Sequence, residues 1–137
     1  MNSDETPQIN ELQNCEEYNY HLHEACRTNN FNRVKELLDC DIAFLPTSEN
    51  HSAFRYCCAK GLSKIVELFL QDCRFDPTIG AEFYMSEACL GSHVKVMKIL
   101  LKDNRMNSET NRDICLRIIT FRLKQYSEML TELVEHK

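Results

Sequence analysis

Three stretches of the chain can be written under one another without a gap: HLHEACRTNNFNRVKELL (21–38), AFRYCCAKGLSKIVELFL (53–70) and YMSEACLGSHVKVMKILL (84–101). Their closing leucines, Leu38, Leu70 and Leu101, lie 32 and 31 residues apart. A period of that length constrains the fold more than any other feature of the sequence. Each copy is one supersecondary unit whose apolar face must be covered by its neighbours. The register makes columns of like residues: Leu22, Phe54 and Met85; Ala25, Cys57 and Ala88; Cys26, Cys58 and Cys89; Val34, Val66 and Met97; Leu37, Phe69 and Leu100.

Within each copy the pattern predicts two short helices. The second of them, NRVKELL, SKIVELFL or VKVMKILL, carries apolar residues at i, i+3 and i+4. The break between the helices falls at Asn29-Asn30, Gly61 and Gly91-Ser92, where Gly and Asn tolerate the left-handed backbone that ends a helix. Low Gly and Pro content, three of each, suits an all-α chain. After the second helix QDCRFDP and KDNRMNS run parallel, pairing Asp72 with Asp103, Arg74 with Arg105 and Phe75 with Met106. Their polar, turn-forming residues favour a projecting loop or finger. The first copy has DCDIAFLPTSEN there. The last segment reads as a fourth pair, RDICLRIITFR then SEMLTELVEH. Met129, Leu130, Leu133 and Val134 form its apolar face, and it serves as a terminal cap. Residues 1–14 are a polar tail, expected to be disordered or loosely helical, with INELQNCEEYNY able to add a capping helix. One domain then spans 15–137, in units of about 18–48, 49–80, 81–110 and 111–137.

ACRTNNFNRVKELL, CCAKGLSKIVELFL and ACLGSHVKVMKILL resemble the ankyrin-repeat run Ala-Ala-x-x-Gly-His-x-x-Val-Val-x-Leu-Leu-Leu, and QDCRFDPT looks like the Asp-Pro-type finger of a divergent ankyrin subclass. The resemblance covers about residues 18–137 and is strongest over 51–108. It implies an ankyrin-repeat solenoid of stacked helix-turn-helix units with short projecting fingers. The family's Thr-Pro-Leu-His start is missing from every unit, which implies a less regular and less stable array than a consensus one. TPR-like helical hairpins are the competing architecture; they lack the finger signal. His93 falls at the family's Gly-His position, which implies an imidazole bonded to backbone in the inter-helix turn.

A formal net charge of −5 without any Lys/Arg run argues against a general nucleic-acid surface. No apolar run approaches the roughly 20 residues that span a bilayer. The first twenty residues have neither the basic nor the apolar region of a secretory signal. The eight cysteines are therefore expected to stay reduced, in the cytoplasm or nucleus, and the triplet Asn50-His51-Ser52 is read as chance rather than a glycosylation site. Cys26, Cys57, Cys58 and Cys89 sit in the small-residue columns, where a free thiol serves as a small hydrophobe. Adjacent Cys57 and Cys58 are not placed to bridge each other. A zinc site can be drawn from His21, His23 and Cys26 with Cys40 or Cys15, but paired ligand spacings are absent. No phosphate loop, nucleophile elbow or metalloprotease helix occurs, so no catalytic residue, metal or other cofactor is expected.

A stacked array offers an extended face of successive loops and first helices. Carrying over where ankyrin proteins meet their partners implies Arg27, Thr28, Ala59, Lys60, Leu90 and Gly91 on the first helices. On the fingers it implies Glu49, His51, Thr78, Glu82 and Glu109. Tyr20, Phe83 and Tyr84 lie near finger-to-helix junctions and are either exposed anchors or core. The leading expectation is a monomeric, non-enzymatic adaptor or scaffold that binds a partner protein, and neither nucleic acid nor membrane. Two alternatives stand beside it: a Cys/His-dependent metal-binding or redox protein, and a self-associating structural protein.

Overall fold

The computed structural model describes residues 7–9, 12, 14–40 and 48–135, without the side chains of Cys15 and of residues 48–50. Seven α-helices and no strand occur among the described residues. They are α1 (Cys15–Arg27), α2 (Phe31–Leu38), α3 (Ser48–Lys60), α4 (Ser63–Gln71), α5 (Ala81–Leu90), α6 (Val94–Lys102) and α7 (Glu109–Glu135), with a 3-10 turn at Pro77–Gly80 before α5. The helices pair as α1–α2, α3–α4 and α5–α6. The hairpins stack so that α1, α3, α5 and α7 form one row and α2, α4 and α6 a second.

The three hairpin turns are built alike. Asn29, Gly61 and Ser92 take positive φ, at 53°, 72° and 57°. The next residue's N–H then reaches back five positions: Asn30 to the Ala25 carbonyl at 2.8 Å, Leu62 to Cys57 at 3.0 Å, and His93 to Ala88 at 2.9 Å. Asn29, Gly61 and Ser92 themselves donate to Cys26, Cys58 and Cys89. This pair of bonds closes a helix end by satisfying carbonyls that have no partner further along the helix. The acceptors are the two small-residue columns of the sequence, so one pair of positions sets both the seam and the turn.

The core runs between the two rows of helices. Leu22, Phe54 and Met85 are fully buried, as are Leu37, Phe69 and Leu100. Val34 and Val66 are buried too, while Met97 is only partly covered and Val96 takes the interior place beside it. Cys26, Cys57, Cys58 and Cys89 all lie in the core, joined by Cys115 from α7. Phe54, Phe69, Phe75 and Tyr84 form the widest cluster, with ring centroids 4.7–5.5 Å apart and tilted or edge-on contacts. Such geometry adds to area burial because ring edges and faces carry opposite partial charge.

Two expectations change. The parallel stretches after α4 and α6 do not simply project. Arg74 forks onto Asp72, with Nε to Oδ1 at 2.9 Å and Nη2 to Oδ2 at 2.7 Å. It then reaches back to the carbonyls of Leu38 and Cys40 in the unit before, the latter at 3.0 Å. Arg105 repeats this on Asp103, at 3.0 and 2.6 Å, and donates to the Leu70 carbonyl at 2.9 Å and the Phe75 carbonyl at 3.2 Å. Leu38 and Leu70 are equivalent positions, so each Arg caps the preceding unit's second helix. The Arg guanidinium supplies donors in a rigid fork that a Lys cannot match.

The second change concerns the C-terminus, where the expected fourth helix pair is one continuous helix of 27 residues. Ser108 opens it by accepting from the Asn111 N–H at 3.1 Å, and buried Asn111 donates to the Met106 carbonyl at 2.7 Å. The residues around the expected junction, FRLKQYS, hold no Gly, Pro or Asn, so nothing interrupts the backbone ladder. Asn111 and Cys115 are buried and Ile118 packs against the core, but Met129, Leu130, Leu133 and Val134 face solvent.

The tail is described only in part. Most of residues 1–14 lie outside the described residues. Of those described, Pro7 accepts from Arg33 Nη2 at 2.6 Å, and Ile9 and Leu12 pack on the core. No described helix is long and apolar enough to cross a membrane.

Candidate functional site

The side chains named from the sequence separate to the two ends of the first helices. Arg27, Thr28, Ala59, Lys60, Leu90 and Gly91 gather at the hairpin turns. His51, Thr78, Glu82 and Glu109 lie at the opposite end, near the starts of α3, α5 and α7, and Glu49 is on α3 with its side chain outside the described residues. From His51 to Lys60 along α3 is roughly 13 Å at the α-helical rise, so a single small contact does not engage both groups.

The turn end is largely occupied with holding the chain together. Arg27 pairs with Glu24 at 2.7 Å on an exposed surface, a bond worth little to stability. Thr28 donates its hydroxyl to the Glu24 carbonyl at 2.9 Å. The Ala59 carbonyl accepts from His93 Nε2–H at 2.8 Å, which ties the turn of the third hairpin to the second. The His93 ring lies so close over Gly61 and Gly91 that an added Cβ at either would stand 2.4 Å from a ring atom. His93 is thus bonded to backbone, as its position implied. Lys60 is exposed, with Nζ 5.8 Å from the Tyr56 ring centroid.

The finger end is built differently. Asp76 accepts from both the N–H (2.9 Å) and the hydroxyl (2.6 Å) of Thr78, and Pro77 is buried beneath, so the 3-10 turn is rigidly seated. That seating lifts Ile79 and Phe83 out of the surface, 64% and 58% exposed, on a ridge between two depressions. One depression, of about 370 Å³, is lined by His51, Ser52, Arg55 and Tyr84 together with the ridge. The other, of about 430 Å³, lies between the ridge, Glu82 and Arg105 and the start of α7. Arg55 crosses from α3 to bond Glu87 on α5 at 2.8 Å, and its guanidinium sits 4.9 Å from the Phe83 ring centroid. His51 stacks parallel to Tyr84 and hydrogen-bonds its hydroxyl, while burial holds the imidazole below its ordinary pKa. Burial thus favours the neutral form of the His51 imidazole.

Of the three aromatics singled out in the sequence, Tyr20 and Phe83 are exposed and Tyr84 is core. Ile79 and Arg55 went unmarked. Ile79 follows a Pro-Thr turn pattern that carries no sign of exposure, and the Arg55–Glu87 pair spans one repeat, beyond any local spacing rule.

The buried thiols offer little chemistry. The Cys26 thiol is pushed up by its hydrogen bond to Cys57 and by burial; burial pushes up Cys58 most, with Cys57 and Glu87 adding to it. Burial and Cys115 raise Cys89. Among the described residues no three His, Cys, Asp or Glu side chains converge as a metal would require, so His21, His23 and Cys26 form no such set there. No family model matches the chain, and neither a curated protein nor a solved structure does.

Proposed function

We propose that the chain is an ankyrin-type protein-interaction module that docks a partner protein at the finger end of α3, α5 and α7. The stacked hairpins, the repeated left-handed turns and the imidazole bonded across neighbouring turns support the ankyrin reading. The observation that carries the docking site is the Ile79–Phe83 ridge beneath the Arg55 guanidinium. Aromatic and Arg side chains dominate interface energetics when they are held in place beforehand, and the salt bridge to Glu87 orients Arg55 in advance. The two depressions beside the ridge would receive apolar groups of the partner, and Thr78, Glu82 and His51 form the polar rim. The buried, proton-holding thiols give no support to a redox or metal role.

Affinity capture with three forms of the chain tests this. Ile79→Ser/Phe83→Ser removes the ridge from an exposed surface and is expected to lose the partners that wild type retains. Arg27→Ala/Lys60→Ala alters the turn end and is expected to keep them. If the ridge variant captures the same partners at equal yield, the finger end is not the docking site; loss confined to the second variant transfers the site to the turns.

A further inference from the structure

The two depressions beside the Ile79–Phe83 ridge differ in what their polar walls offer. No Asp or Glu lines the one on the α3 side, where Arg55 and Ser52 supply polar groups. Glu87 and Asp76 stand outside that lining, and both are engaged, by Arg55 at 2.8 Å and by the Thr78 hydroxyl at 2.6 Å. The depression on the α7 side is lined by Glu82, which no cation answers among the described residues. The Arg105 beside it is already committed, twice to Asp103 and once each to the Leu70 and Phe75 carbonyls. Spare donors therefore lie on one side of the ridge and an unanswered carboxylate on the other.

The donors of Arg55 can be accounted for one by one. A guanidinium carries five N–H groups, one on Nε and two on each Nη. Glu87 takes two of them, from Nε at 3.0 Å and from Nη2 at 2.8 Å, both at the single oxygen Oε1. The remaining groups, on Nη1 and Nη2, form the end-on fork that matches a carboxylate. Neither they nor the Ser52 hydroxyl bond another described residue. Phe83 lies under the guanidinium, 4.9 Å from Cζ to the ring centroid, so the ring contacts a face of the group and leaves its edge clear. Arg55 and Ser52 are both exposed, which keeps these donors within reach of a partner.

We infer that the partner docked at the ridge presents an acidic side chain close to an apolar one. The apolar group lies on Ile79 and Phe83, while the carboxylate bonds the free edge of Arg55 and the Ser52 hydroxyl. This acidic contact presupposes docking at the ridge and adds the chemistry that selects the partner. Glu87 holds the guanidinium in place before the partner arrives, so less side-chain freedom is lost on binding. The reverse placement is disfavoured, because an acid in the other depression meets Glu82.

A random peptide library displayed on phage and panned on the full chain tests this. Binders are remade as free peptides, and their affinities are measured by fluorescence polarisation on wild type, Ile79→Ser/Phe83→Ser and Arg55→Gln. Peptides lost on the ridge variant are expected to carry Asp or Glu near an apolar residue. Arg55→Gln, and an acid-to-amide change in the peptide, should each weaken binding about tenfold or more. Combined, they should weaken it little further, because both remove the same contact. Ridge-dependent peptides that lack an acid, or that Arg55→Gln binds equally well, overturn the inference and leave the docking site standing. Losses that add in full place the acid away from Arg55 and overturn it too. Peptides that bind the ridge variant as tightly as wild type, or a library that yields no binder, overturn the docking site as well.

Discussion

Gly61→Ala probes the contact between the second and third hairpins. Gly61 sits at φ 72°, where a side chain costs about 1–2 kcal/mol in backbone strain. Its Cβ would also stand 2.4 Å from His93 Nδ1 and 2.8 Å from two ring carbons. The ring must swing away, and the 2.8 Å bond from Nε2–H to the Ala59 carbonyl goes with it; a bond of that kind contributes about 1 kcal/mol net. The substitution should therefore cost about 2–3 kcal/mol. In a His93→Ala background the clash and the bond are both absent, leaving only the strain, about 1–2 kcal/mol. Urea unfolding followed by far-ultraviolet circular dichroism gives the four free energies of the cycle, with unchanged denaturant slopes as the check that compactness is preserved. A coupling of about 1 kcal/mol or more is expected, the double variant being less destabilised than the sum of the singles. Costs that add to within about 0.5 kcal/mol would refute the idea that the imidazole is clamped over the glycine.

The same unfolding assay checks four smaller expectations, and thiol alkylation a fifth. Ser92→Gly relieves a non-glycine residue at φ 57°, a gain of about 1–2 kcal/mol set against about 0.5–1 kcal/mol of chain entropy, and should raise stability by about 0.5–1 kcal/mol, whereas a lower midpoint would show that the turn is held by the Ser92 hydroxyl, which accepts from Arg122 Nη1 at 3.2 Å. Arg105→Lys cannot fork onto Asp103 while also reaching the Leu70 and Phe75 carbonyls, and should cost about 1–3 kcal/mol. The bond from Arg74 holds Asp72 below the ordinary carboxylate pKa, as Arg105 does Asp103. Stability from these groups is present above the unfolded carboxylate value of about 4 and is lost as pH falls through their folded values. Burial lowers the His51 pKa, so the unfolded state binds the proton more readily; stability should decline as pH drops below about 6.5, and His51→Gln should flatten that slope. Finally, Cys73 is exposed and should be alkylated at once, while Cys26, Cys57 and Cys58 react only on unfolding.

The repeated hairpins were legible because their determinants are local. A small residue, a second small residue and then Asn, Gly or Ser four positions on mark the seam and the turn together, and the structure turns at Asn29, Gly61 and Ser92. The apolar columns were legible for the same reason, apart from Met97, which is only partly covered. Residues acting across units were harder to read. Asp72-x-Arg74 and Asp103-x-Arg105 look like solvated loop residues in sequence, and nothing within seven positions shows that the guanidiniums reach carbonyls some 35 residues earlier. The C-terminal pair was expected by extending a period into a segment without a turn residue. There the local chemistry of FRLKQYS outweighed the repeat, and the helix continued. At the candidate docking site, His51, Thr78 and Glu82 were implied by the resemblance to ankyrin repeats. Ile79 and Arg55 depend on how a rigid 3-10 turn tilts and on an ion pair between units, neither of which leaves a pattern along the chain.

The two arginine clasps point in one direction. The end of α2 is closed by a residue 36 positions later, and the end of α4 by one 35 positions later. In a chain made from its N-terminus, each second helix is complete well before the side chain that satisfies its last carbonyls has left the ribosome. The first two hairpins are thus closed one unit behind synthesis. A ribosome paused between residues 71 and 105 would hold a nascent chain with all of the α4 sequence made and the Arg105 that closes it still missing.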